Sequence, residues 1–153
     1  MDETKTVIEI RAALRALYRS QRFAVLATDE HGQPFASLMA FAASEDLAQL
    51  VILTERTTRK FANLKANARV ALLIDDRENK GSDTQDSVAV TAIGEAAEVD
   101  PMAGAPLIAL YLARHPYLAE FAASPSCAII QVNVRSYLLV SRFQAVLEWR
   151  PGS

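Results

Sequence analysis

Leu53-Thr54-Glu55-Arg56-Thr57-Thr58-Arg59-Lys60-Phe61-Ala62-Asn63-Leu64-Lys65-Ala66-Asn67-Ala68-Arg69-Val70-Ala71-Leu72-Leu73 is the stretch whose reading decides the fold. Its hydrophobic period changes twice. Gln49 to Thr54 is a short apolar run and predicts a strand. From Glu55 to Asn67 the run breaks. Phe61 and Leu64 lie three apart and Ala68 four further on, the spacing of a short helix with one apolar edge. Arg69 to Ile74 is then almost continuously apolar and predicts a strand buried on both faces, as in the middle of a barrel.

Towards the N-terminus the pattern is a meander. Phe23 to Thr28 reads as a strand, Asp29 to Gln33 as a turn in which Gly32 can take positive φ, and Pro34 to Ala42 as the return strand, with Phe35, Ser37, Met39 and Phe41 on one face. Ser44-Glu45-Asp46 turns again. Ahead of these strands, Val7, Ile10, Leu14, Leu17 and Tyr18 recur at helical spacing, with Arg11, Arg15 and Arg19 opposite. They predict a helix over 5–20 capped by Thr4. Towards the C-terminus, Asp75 to Asp86 is polar and predicts an exposed loop. Ser87 to Glu98 is a long strand, and Gly94 within it points to a bulge. Asp100-Pro101 opens a helix over Met102 to Ala113. Pro116 ends it, and Tyr117 to Ala122 adds a turn or two. Cys127 to Val134, Tyr137 to Ser141 and Ala145 to Arg150 complete the strands. This order describes a mainly β protein, an antiparallel barrel with peripheral helices rather than a parallel α/β sheet.

The 153 residues fit one domain over 1–153. Hydrophobic residues make up 51% and charged residues 22%, the balance of a globular chain, and a net charge of −2 argues against wholesale binding of nucleic acid or anionic membrane. Cys127 stands alone, so no internal disulfide forms, and the N-terminus carries no apolar signal core. Together these lead to an expectation of a cytoplasmic protein. No apolar run approaches the ~20 residues of a membrane span.

Thr54 to Lys60 holds the chemistry. A helix start presents unpaired N–H groups and partial positive charge. Thr57 and Thr58 add hydroxyls, and Arg56, Arg59 and Lys60 add full charges, so the corner can bind a phosphate. The alternative is a capped, solvated basic helix start that binds nothing. His31, His115 and Cys127 have no metal-ligand spacing, and no dinucleotide or P-loop glycine pattern and no nucleophile elbow occurs. His115 is read as a helix-end cap, with haem ligation the lesser alternative. Trp149 is read as core or dimer interface, and Asp75, Asp76 and Asp86 as solvating.

The order of elements and the Leu53–Leu73 segment together resemble the pyridoxamine 5'-phosphate oxidase-like, FMN-binding split-barrel superfamily, from about Ser20 onwards. That family has a strand, a serine or threonine, Arg-Lys, a short helix ending near Asn-Pro, and Arg-Val-x-Leu-Leu. Ala68 stands here where proline is frequent. Val90-Thr91-Ala92-Ile93-Gly94-Glu95-Ala96 is similar to the family's next strand. Arg114-His115-Pro116 and Tyr137-Leu138-Leu139-Val140 to Phe143 resemble the haem-utilisation branch. The resemblance implies a split barrel that forms a homodimer with FMN at the subunit interface. It matches Thr58, Arg59 and Lys60 to the phosphate segment and Thr54 to a position near the ribityl chain or ring. Ser37, Leu38, Met39 and Ala40 fall on the strand whose backbone faces the flavin ring, and Ser87 reaches in from the partner subunit. A small-molecule substrate or electron donor follows from that assignment. The strand Ser37 to Ala42 lacks the basic residues of the vitamin B6 oxidases, and Ser141-Arg142-Phe143 replaces a Gly-Gly-Phe frequent in the haem branch. Both departures argue against those two specific activities. The expected function is a flavin-dependent oxidoreductase, and the alternative is a non-catalytic flavin- or haem-binding carrier or sensor.

Overall fold

A computed structural model describes residues 3–141 and 145–152, so Arg142 and Phe143 lie outside the described residues. The chain runs α1 (Glu3–Ser20), β1 (Phe23–Glu30), β2 (Gln33–Ala40), β3 (Ala42–Ala43), β4 (Gln49–Glu55), α2 (Arg59–Ala66), β5 (Arg69–Asp75), α3 (Asp83–Asp86), β6 (Ala89–Val99), α4 (Ala105–Arg114), a 3₁₀ turn at Pro116–Leu118, α5 (Ala119–Ala123), β7 (Cys127–Ser141) and β8 (Ala145–Trp149). The strands form one antiparallel sheet in the order β2-β1-β5-β6-β7-β4-β3, with β8 on the free side of β7. Its two ends, β2 and β3, are separated only by Phe41. One extended segment therefore closes both edges, and the sheet curls into a barrel that is mainly antiparallel β with a few helices.

The inner face is apolar and fully buried: Leu26, Leu50, Ile52, Leu72, Ile74, Val90, Ala92 and Ile130 have no more than 1% exposure. Ile10, Leu14 and Leu17 of α1 plug this core, the stripe that the helical spacing predicts. A second cluster lies outside the barrel wall, where Val51 and Leu53 of β4 and Ile129 of β7 pack under Leu107 and Tyr111 of α4. Trp149 belongs to the main core, stacked on Tyr137 at 5.9 Å between ring centroids.

Several boundaries differ from expectation. The first helix begins at Glu3, so Thr4 sits inside its first turn rather than capping it. The return strand breaks at Phe41, because that residue turns into the core while the chain passes from β1 to β4. β5 is not buried on both faces. Val70, Leu72 and Ile74 face the core, but Ala71 and Leu73 are half-buried because no layer among the described residues fully covers the outer face. α4 starts three residues later than predicted. Asp100 accepts from Met102 N–H at 2.8 Å, and residues 101–104 form turns first. The two expected strands after Cys127 are one long strand with a bulge. Ile93 pairs with Ser136 and Gly94 with Val134, leaving Arg135 as the extra residue. The irregularity foreseen at Gly94 is thus real, but the inserted residue is on its partner strand.

Candidate functional site at the barrel seam

β3 pairs with β4 through Ala42–Val51 and Ala43–Leu50. Two residues earlier the same segment has swung away to pair with β1, from Ala40–Phe23 to Gln33–Glu30. Beyond the Ala42–Val51 pair, Ile52 to Glu55 of β4 pair only with β7. The edge of β2 that faces β4 therefore has no strand partner, and its outward-turned amide and carbonyl groups are open to a ligand. This opening is the split in the barrel.

α2 begins at the mouth of that split. Thr58 is its N-cap, with extended backbone, and its hydroxyl accepts from Phe61 N–H at 3.3 Å. The same hydroxyl donates to the Glu55 carbonyl at 2.8 Å, so Thr54, whose Oγ1 lies 3.0 Å away, is the donor between the two threonines. Thr54 is 1% exposed. Both hydroxyls are thus committed to shaping the corner, whereas Thr57 is exposed. Asn63 on the inner side of α2 donates to the Thr28 hydroxyl at 3.1 Å, a fully buried bond that docks the helix on β1.

The three basic side chains separate. Arg56 turns away from the corner: it contacts Glu98 at 2.6 Å and donates to the carbonyls of Pro125 and Cys127. Lys65 also reaches Glu98, at 3.6 Å, so this carboxylate offsets two cations and removes Arg56 from the expected phosphate set. Arg59 lies over the Phe35 ring, 4.9 Å from its centroid, with a loose 3.8 Å approach to Glu30. Lys60 has no ion-pair partner among the described residues. Arg59, over Phe35 of β2, and Lys60 are thus the basic residues in the first turn of α2 that Glu98 does not claim.

Ser37 to Ala40 line the unpaired edge, but their side chains divide. Ser37 and Met39 turn inward, Ala40 is half-buried, and Leu38 points out of the barrel with 71% exposure. What they share toward the split is backbone. Ser87 does not join this group within one chain. It ends α3, donating its hydroxyl to Asp83, and precedes Ala89, which pairs with Asp75. That is the Phe23 end of β1, whereas Arg59 sits beside Glu30 at the other end, roughly 20 Å away at the rise of an extended strand.

His115 ends α4 as expected, but its ring is fully buried, with Nε2 2.8 Å from the Phe41 carbonyl and Nδ1 3.4 Å from the Tyr117 hydroxyl. Because a carbonyl only accepts, Nε2 is the donor in the bond to Phe41. Burial and then the Glu55 carboxylate push the Cys127 thiol up, so it is not a thiolate nucleophile. Among the described residues no cluster of His, Cys, Asp and Glu could hold a metal, and no helix is long and apolar enough to cross a membrane. The sequence reading missed Phe35 under Arg59 and Glu98 over Arg56. Both partners are distant in sequence, and only the alternation of β2 hinted that Phe35 faces inward.

A curled antiparallel sheet, split along one seam and with a basic helix start at the mouth, defines the class of split β-barrels. The chain belongs to the pyridoxamine 5'-phosphate oxidase family, whose sequence model matches residues 10–141. No curated protein sequence matches it. Among solved structures it is similar to a haem-binding protein from Mycobacterium smegmatis (17% identity, TM-score 0.79, covering 90% of this chain and 56% of that one). It also resembles the haem storage protein HutZ from Vibrio cholerae (17% identity, TM-score 0.69, covering 80% and 88%). A third likeness is to a FAD-binding protein from Mesorhizobium loti (15% identity, TM-score 0.67, covering 84% and 91%). The chain thus spans little more than half the length of the first of these.

Proposed function

We propose that this chain binds FMN in the split and acts as a flavin-dependent oxidoreductase on a small molecule. The observation that carries the reading is the juxtaposition of an unpaired strand edge with a capped helix start whose first turn holds Arg59 and Lys60, with Arg59 over Phe35 of that strand. Lys60, the exposed Thr57 and the first-turn amides of α2 would hold the phosphate. Arg59 adds charge there while its plane rests on Phe35. Thr54 and Thr58 set the angle of the corner through their hydroxyl chain, and the backbone of Ser37 to Ala40 would hold the edge of the ring. Flavin, when bound, supplies hydride and single-electron transfer; the protein supplies anchoring, orientation and exclusion of water.

Ser87 lies at the far end of β1, so a role for it requires a second copy, and the reading therefore includes a homodimer with the site at its interface. The outer face supports pairing. By strand register Leu38, Val25, Leu73 and Thr91 form one row across four strands, and Leu38 and Phe23 are 71% and 49% exposed. A cytoplasmic location accompanies this reading, with a lone, buried thiol as its support.

The second reading, a flavin- or haem-binding carrier without turnover, is favoured by the haem-binding names among the similar structures. His115 does not serve it, since its ring is enclosed and its Nε2 proton is given to Phe41. The visible spectrum of the purified protein separates the two. Flavin bands that bleach with a nicotinamide donor and return with an acceptor are expected. A Soret band with no flavin, or flavin that no donor reduces, would favour the carrier. The Arg59→Ala/Lys60→Ala protein is expected to lose flavin while keeping its fold, and unchanged flavin content would remove the corner from the site.

A further inference from the structure

We infer that a second cavity, between α1, the β3–β4 turn and the end of α4, binds a small organic dianion of the phosphate-monoester class. It has a volume of about 540 Å³ and shares no residue with the seam. Three guanidinium groups line it, from Arg15, Arg19 and Arg114, together with Tyr18, Leu47 and Glu45. None of the three arginines has a carboxylate partner among the described residues. They are held instead by backbone carbonyls. Arg15 donates to the Glu45 carbonyl at 2.9 Å, Arg19 Nε to the Arg15 carbonyl at 3.3 Å, and Arg114 to the Gln21 carbonyl at 2.6 Å while lying over the Phe41 ring. Such bonds fix the planes of the forks without neutralising their charge.

Two further observations point to a ligand. One terminal nitrogen of Arg114 is a buried side-chain polar atom without a hydrogen-bond partner among the described residues, and Arg114 lines this cavity beside Tyr18. Buried donors are rarely left unpaired. Arg114 is also partly desolvated beside Arg22, and burial followed by that neighbouring charge lowers its pKa, so a counter-ion would relieve it. Counted over its lining residues, the cavity carries three arginine charges and one glutamate charge, a net of two that complements a phosphate monoester. Leu47 and the Tyr18 ring give the cavity an apolar side for an organic body. Arg11, Arg15 and Arg19 recur every fourth residue, which reads as a solvated face. The fold instead turns Arg15 and Arg19 towards Arg114, almost a hundred positions along the chain.

Calorimetric titration of the full chain with phenyl phosphate tests this. Saturable binding is expected, weakened roughly tenfold or more in Arg15→Gln and in Arg19→Gln, which alter exposed or half-exposed positions of α1, and retained in Arg59→Ala/Lys60→Ala. Arg114→Lys, which keeps the charge but loses the fork, is expected to weaken binding as well, with thermal denaturation reporting that it is folded. No heat above dilution, or affinity unchanged in the Arg15→Gln/Arg19→Gln double variant, would overturn the site. Loss of binding in Arg59→Ala/Lys60→Ala would move the ligand to the seam and equally overturn it. Succinate binding as tightly as phenyl phosphate would overturn the phosphate class, and inorganic phosphate binding as tightly would overturn the organic body.

Discussion

Gly94 shows how one residue settles a whole strand pairing. A Cβ at that position would meet the Asn133 carbonyl oxygen at 2.2 Å, so only glycine lets β6 and β7 close around the bulge at Arg135. Gly94→Ala is expected to cost about 1–3 kcal/mol or more in chemical denaturation. Gly81→Ala, with nothing within 4 Å of the new methyl, is expected to be near neutral. Equal effects of the two substitutions would contradict the packing argument. In the β3–β4 turn, Asp46 accepts from the Ser44 hydroxyl at 2.7 Å and from Ala48 N–H at 3.0 Å. These two bonds, in that order, lower its pKa below the ordinary 3.8. A carboxylate with a depressed folded pKa stabilises fully above its unfolded pKa and loses that contribution as pH falls through the folded one. Wild type is therefore expected to melt higher than Asp46→Asn near neutral pH, with the gap closing as pH drops below 3.8. A gap that persists unchanged to pH 2 would remove the carboxylate from the turn's stability.

At the scale of elements, the barrel depends on pieces that arrive late in sequence. β8 extends the sheet beyond β7, and Trp149 brings its ring onto Tyr137 with Arg11 of α1 5.8 Å from its centroid. One indole thus joins β7, β8 and the first helix. Trp149→Ala is expected to destabilise by about 3–5 kcal/mol, read from urea denaturation, because the cavity it leaves is walled by two elements that cannot both collapse. A loss below 1 kcal/mol would show that β8 is peripheral to the core. α2 illustrates the opposite case. Its apolar edge and its end at Asn67, whose side chain accepts from Arg69 N–H at 3.1 Å, were readable in the Leu53–Leu73 stretch, whereas its start falls after Thr58 rather than at Glu55, where the period changes, because the Thr58 hydroxyl caps it.

For the whole molecule, the unresolved balance is the outer face of β2, β1 and β5. Each strand buries alternate residues inside the barrel and leaves Leu38, Val25, Ala71 and Leu73 on a face that no helix or strand among the described residues fully covers. On the proposed reading a second copy covers it and brings its Ser87 segment to the seam. Leu38→Glu, which places a charge in the middle of that row, is expected to convert a dimer to monomer in light scattering and to lower flavin retention with it. A dimer that survives the substitution unchanged would place the interface elsewhere.

Length, alternation and the change of period in Leu53–Leu73 by themselves determined the antiparallel strands, the helices α1, α2, α4 and α5 and the position of the basic corner, because those depend on neighbours a few residues apart, while the short helix α3 fell in a stretch read as an exposed loop. Only the tertiary structure decided how the charges are used. Arg56, Arg59 and Lys60 look equivalent in sequence, yet Glu98 claims the first, Phe35 supports the second, and the third has no ion-pair partner among the described residues. Likewise the arginine stripe of α1 becomes a charged cavity only when Arg114 is folded against it. Local periodicity sets which face of an element is buried; which charges meet depends on long-range pairing, which no short window contains.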